Sequence, residues 1–84
     1  MKLILCPHCQ DVRKLSYEMV YCQCKKSHGR YVDGLNAEIN EIAIPLGFAN
    51  SSLVMALKNR PEKHWGKEFT AFVIEKICPT IKII

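Results

Sequence analysis

Two closely spaced cysteine pairs limit what this chain can fold into more than any other feature: Cys6-Pro7-His8-Cys9 and Cys22-Gln23-Cys24, with twelve residues between them. A chain of 84 residues makes one domain. It buries a smaller fraction of its surface than a longer chain does, so its core needs a staple. Thiols at such spacings serve disulfides, metal or redox chemistry, and the compartment selects among them. The start "MKLILC" has the lysine, apolar run and cysteine of a lipoprotein export signal, but only Leu3, Ile4 and Leu5 precede Cys6. An export signal needs roughly 7 to 15 apolar residues there. No other apolar run approaches the length of a membrane span. The expectation is therefore a reduced, cytoplasmic protein whose thiols bind metal.

Zinc suits the spacing. Two residues between Cys6 and Cys9 let both thiolates point at one ion while backbone N–H groups of the turn face the sulfurs. Pro7 fixes φ at the first interior position of that turn. The second pair is tighter, with one intervening residue, and the stretch between the pairs is long enough for two short strands and a turn that bring them together. Four thiolates at Cys6, Cys9, Cys22 and Cys24 close the coordination shell, which argues for one structural Zn²⁺ rather than a catalytic one with an open position. Competing readings put His8 or His28 in place of one thiolate, make "CPHC" a redox pair, or treat the cysteines as small buried residues. A redox dithiol usually opens a helix, and no helical pattern follows Cys9. Cys78, among apolar neighbours in "KICPTIKII", reads as core.

Over roughly the first thirty residues, "CPHC", a strand-forming loop and "CQC" resemble the two knuckles of the zinc-ribbon class. The resemblance implies a structural zinc and little about function. Ribbon knuckles often carry a glycine after the second cysteine, where this chain has Gln10 and Lys25.

The expected fold is α+β: one small β-rich domain over 1–84, with a zinc-ribbon-like part over about 1–31 and an α+β part over about 32–84 holding a hairpin, one short helix and C-terminal strands. Leu15, Tyr17, Met19 and Tyr21 alternate on one side of the ribbon's strands. Asp33-Gly34 predicts a hairpin turn with Gly34 at positive φ. Pro45, lacking a ladder donor, predicts an edge strand or a bend. The helix is "NSSLVMALKNRP", capped by Asn50 or Ser51, with Leu53, Ala56 and Leu57 on its apolar face and Pro61 as its stop. "EFTAFVIEKI", apolar on both alternating sets, predicts the most buried strand, and "TIKII" a further short one. No repeat, low-complexity tract or linker marks a second domain.

Twelve Lys and Arg against eight Asp and Glu give a formal charge of +4. Four thiolates with one divalent ion carry −2, which would leave about +2 in the metal-bound protein. The basic residues group in two places: Arg13, Lys14, Lys25, Lys26, His28 and Arg30 beside Tyr17, Tyr21 and Tyr31 around the cysteines, and Lys58, Arg60, Lys63, His64 and Lys67 beside Trp65 after the helix, mostly in the loop "RPEKHWGKEF". Cations beside aromatic rings suit a single strand's phosphates and bases. Lys25 and Lys26 equally serve to offset the thiolates, and Trp65 reads either as an interface anchor or as a cover for the base of the helix. No Gly-rich phosphate loop, nucleophile elbow or helix with paired histidines is present, so no enzymatic activity is expected. Three classes of function remain. The favoured one is a zinc-stabilised module acting through protein–protein contact, as an adapter, inhibitor or sequestering protein, with exposed strand edges near Pro45 and at the C-terminal strand open to a partner and self-pairing into a dimer as its simplest form. The others are a nucleic-acid-binding zinc module and a binder of a small ligand or nucleotide at a dimer interface.

Overall fold

A computed structural model describes all 84 residues. In chain order the elements are β1 (Lys2–Leu5), β2 (Val12–Lys14), β3 (Val20–Tyr21), β4 (His28–Tyr31), β5 (Ala37–Ile39), β6 (Ile44–Phe48), α1 (Asn50–Lys58), β7 (Ala71–Val73) and β8 (Ile81–Ile83). They form two four-stranded sheets, β2-β1-β6-β7 and β3-β4-β5-β8, antiparallel throughout except for the parallel pair β5/β8. This agrees with a small, mostly β, α+β domain. Each sheet draws strands from both ends of the sequence.

The core is small. Ile4 from one sheet meets Ala37 and Ile39 from the other, with Leu15 and Ala43 from the connections, and Tyr31 and Ile81 close its sides. Gly29 is required here, because a Cβ on it would lie 2.7 Å from Ile39 Cγ2 and 2.9 Å from the Glu38 carbonyl oxygen. The two strands of the predicted ribbon hairpin do not pair with each other. β2 pairs back with β1 and β3 pairs forward with β4, so each cysteine pair sits in the turn of its own hairpin. Between them the chain crosses from one sheet to the other. Leu15 N–H donates to the Lys2 carbonyl in the first sheet, and the Ser16 carbonyl accepts from Tyr31 N–H in the second. That crossing breaks the expected alternation: Leu15 is buried while Tyr17 and Tyr21 are exposed.

The β4–β5 hairpin forms where Asp33-Gly34 predicts it, but by another device. No glycine takes positive φ. Instead the Asp33 carboxylate accepts from the backbone N–H groups of Leu35 and Asn36 and from Asn36 Nδ2, at 2.7–2.9 Å.

Pro45 contradicts its edge assignment, because β6 lies between β1 and β7. The reason is its position along the ladder. Phe48 N–H donates to Met1 on the β1 side, whereas Ala49 N–H donates to Thr70 and the Pro45 carbonyl accepts from Ile74 N–H on the β7 side. The missing donor therefore faces β7 just where that strand ends, and one bond is forgone.

α1 is also capped differently. Ala49 is its N-cap without a side-chain bond, and Asn50 Oδ1 instead accepts from the N-terminal ammonium at 2.9 Å. Ser52 Oγ donates to the Ala49 carbonyl and accepts from Thr70 N–H, tying the helix start to the loop before β7. Of its apolar face only Ala56 is buried, and Leu57 is exposed. The strand expected to be most buried is exposed along its whole length, since β7 is an edge strand. Its apolar sequence reports surface here, not core. No helix is long and apolar enough to cross a membrane.

Candidate metal centre

Both hairpin turns point their cysteines at one place. In the β1–β2 turn, Gln10 N–H closes on the Cys6 carbonyl at 2.8 Å and Cys6 N–H donates to the Asp11 carbonyl at 2.9 Å. In the β3–β4 turn, Lys25 N–H donates to the Cys22 carbonyl and Cys22 N–H to the Ser27 carbonyl, both at 3.0 Å. Each turn then needs a residue in the left-handed region right after its second cysteine. Gln10 (φ 59°) and Lys25 (φ 64°) take it, so the positions where a knuckle glycine is absent adopt the glycine's conformation all the same.

One side chain ties the two turns together and another braces the second. Asp11 Oδ2 accepts from Arg13 Nε at 2.6 Å and from Gln23 N–H of the other turn at 2.8 Å. Arg13 holds the Asp11 carboxyl below its ordinary range. Asn40, at the end of β5, accepts from His28 N–H and donates to the Lys26 carbonyl, bracing the second turn from behind.

The sulfurs of Cys6, Cys9, Cys22 and Cys24 all lie within 4.8 Å of one another, with Cys6–Cys24 at 3.6 Å and Cys22–Cys24 at 3.5 Å. A tetrahedral tetrathiolate with metal–sulfur bonds of about 2.3 Å has sulfurs about 3.8 Å apart. The cluster is thus spaced to hold one metal ion. Cys6 and Cys22 are buried, Cys9 is intermediate and Cys24 is exposed.

Its electrostatics suit anionic sulfur. Burial pushes the Cys6 thiol up, but the Ser27 hydroxyl and the backbone N–H groups of Cys9 and His8 outweigh it and hold the group at about 5. Burial likewise raises Cys22, and the Ser27 N–H, 3.3 Å from its sulfur, helps bring it below the usual thiol value. The Lys26 backbone N–H draws Cys24 down, yet partial desolvation of this exposed residue's sulfur within the cluster and its three sulfur neighbours push it up to about 12. Crowded thiolates repel one another, so without a cation one site keeps its proton. Ser27 Oγ is wholly buried with no partner of good hydrogen-bond geometry, leaving its hydroxyl to orient toward anionic sulfur.

Neither His8 nor His28 belongs to the cluster. His28 packs against the Tyr21 ring, 5.3 Å between centroids. Cys78 is intermediate in exposure and its sulfur lies 3.3 Å from Thr80 Oγ1.

The other singled-out residues divide sharply. Lys25 and Lys26 are exposed beside the cluster. Arg30 is engaged by Glu38 at 2.7 Å. Tyr31 accepts from Lys2 N–H at 2.7 Å through its hydroxyl, with Lys2 Nζ 5.8 Å from its ring centre. Arg60, Lys63, His64, Trp65 and Lys67 lie in the α1–β7 connection, which is exposed throughout. Trp65 is 90% exposed and covers no part of the helix.

Sequence reasoning missed Asp11, Ser27 and Asn40. Each is a common surface residue type, and only the folding of the two turns against each other gives it a role. Comparison with known protein families, curated proteins and solved structures found no match.

Proposed function

We propose that this chain is a zinc-stabilised binding module acting through protein–protein contact, of adapter, inhibitor or sequestering type, with a zinc-ribbon-like metal end as its structural staple. The supporting observation is surface. The chain exposes 6288 Å², whereas a folded monomer of 9.6 kDa exposes about 5,100 Å². After residue 50 Ala56 is the sole buried residue, and Met55, Leu57, Trp65, Phe69, Phe72 and Ile77 are among the large apolar side chains left open. A stretch that leaves so many large apolar side chains open favours an interaction face. A stable interface removes about 800 Å² from each partner, less than this excess.

Zinc is the ion favoured by four thiolates at tetrahedral spacing, since a closed, redox-inert shell suits a purely structural task. The nucleic-acid alternative is weakened by Arg13 and Arg30, whose guanidinium groups are already paired with Asp11 and Glu38.

Native mass spectrometry of the protein purified from cells, with cross-linking in those cells, tests both parts. One zinc per chain and cross-links to protein from the α1–β7 region are expected. Metal-free chain would remove the zinc assignment, and absence of any protein cross-link would remove the binding assignment. Binding to single-stranded nucleic acid that falls steeply with salt and with Lys26→Ala would favour the nucleic-acid module instead.

A further inference from the structure

Four strands end the two sheets: β2 and β7 in one, β3 and β8 in the other. Exposed edges invite pairing with another chain, and proteins blunt them with charge, proline or brevity. β2 carries Arg13 and Lys14, β8 has Lys82 at its centre, and β3 is two residues long. β7 is three residues long, like β2 and β8, but alone among the longer edges it carries neither a charge nor a proline. Its sequence is Ala71-Phe72-Val73, uncharged and exposed at every position.

Its backbone is ready for a neighbour. The Thr70 carbonyl accepts from Ala49, and Ile74 N–H donates to Pro45, so residues 70, 72 and 74 bond inward to β6. Ala71 and Val73 therefore turn their N–H and C=O groups outward, unpaired. Resting on the protein-binding function above, we propose that the partner is a second copy of this chain, joined through β7 in an antiparallel pairing about a two-fold axis at Phe72.

This register is singled out by three properties. Setting Ala71 against Val73 of the second copy uses every outward backbone group of both strands. It puts Phe72 beside its own copy at about 4.5 Å between Cα atoms. The ring lies over Gly47, whose missing Cβ would fall 2.6 Å from it, and the residue stays half-exposed for the second copy to cover. Finally, Glu68 and Lys76 stand four residues to either side of Phe72. The axis brings Glu68 of each copy toward Lys76 of the other, twice. The contact is isologous and closes on itself, joining two four-stranded sheets into one of eight.

Sedimentation of the full metal-bound chain over a wide concentration range tests this. A dimer is expected for the unaltered chain. Val73→Pro deletes only an outward N–H and leaves the β6 ladder intact, so it should give a monomer with unchanged metal content and far-UV circular dichroism. Glu68→Lys should raise the dimer Kd about tenfold, and adding Lys76→Glu to the same chain should restore it. This charge-reversal pair decides the matter should Val73→Pro fail to fold. A chain that stays monomeric at every concentration overturns the proposal, as does a dimer indifferent to both Val73→Pro and Glu68→Lys. Either result leaves binding of a different protein standing, which falls only with the cross-linking experiment.

Discussion

Gln10 and Lys25 hold the left-handed conformations that allow the two cysteine turns to close. A side chain in that region costs about 1–2 kcal/mol, because its Cβ crowds the following carbonyl. Neither side chain is needed elsewhere for the turn. Gln10→Gly and Lys25→Gly should each stabilise the metal-bound protein by up to about 1 kcal/mol, after glycine's own entropy cost, with a β-branched residue doing the reverse. Thermal denaturation of the single variants measures it. Asp33 gives the second residue-scale prediction. Hydrogen bonds from the Asn36 side chain and from the Asn36 and Leu35 backbone hold its carboxyl at about 2, below the ordinary 3.8. A carboxyl lowered on folding adds stability above its unfolded pKa and loses it as pH falls through the folded one. The Tm difference between the native chain and Asp33→Ala should therefore be constant above pH 5 and shrink between about pH 4 and 2. Acid release of metal unfolds both chains alike, so the shrinkage is read at the pH values where each chain still carries its metal.

At the scale of elements, periodicity located segments better than it located their surroundings. The hairpin at Asp33-Gly34, the helix over "NSSLVMALK" and the strand in "TIKII" were legible because each depends on neighbours within a few residues. Burial was not. The alternation that would hide "AFV" in a central strand is equally served by an edge that a second molecule covers. Pro45 was misassigned because a missing donor matters only where a partner strand runs beside it, and β7 stops there. Gly29 shows how one close approach sets an element's place. The β4–β5 pair packs with the Ile39 side chain over the space a Cβ would fill. Gly29→Ala should destabilise the domain by about 1–3 kcal/mol, because the opposing Glu38 carbonyl is backbone and cannot swing aside. Chemical denaturation checks this. An unchanged midpoint would show that the sheet gives way more easily than its geometry implies.

The whole molecule is long and thin, 43 × 26 × 22 Å, with a radius of gyration of 14.1 Å. A compact domain of this length has about 12 Å. Its two sheets share a core of five buried residues, so the thiol cluster supplies the other tie between them. Cys6 and Cys9 come from the sheet of β1 and β2, and Cys22 and Cys24 from the sheet of β3 and β4. Metal affinity then becomes folding free energy for both sheets. Chelation, or Cys9→Ser, should unfold β1 through β5 in one cooperative step and not merely loosen two turns. Amide hydrogen exchange reads the difference. Persistent protection in Ile4 and Ile39 after metal removal would show that the apolar core suffices alone.

The sequence by itself determined the four thiols and their grouping, the short helix, the hairpin and the α+β class, because ligand spacing, turn chemistry and helical period are local properties of the chain. Only the tertiary structure decided which strands lie beside which, that Asp11, Ser27 and Asn40 brace the cluster, and that the strand expected to be most buried stays open at an edge. Those outcomes depend on residues far apart in sequence meeting in space. An apolar pattern states that a surface is to be covered, and the packing of the whole chain determines whether its own residues cover it.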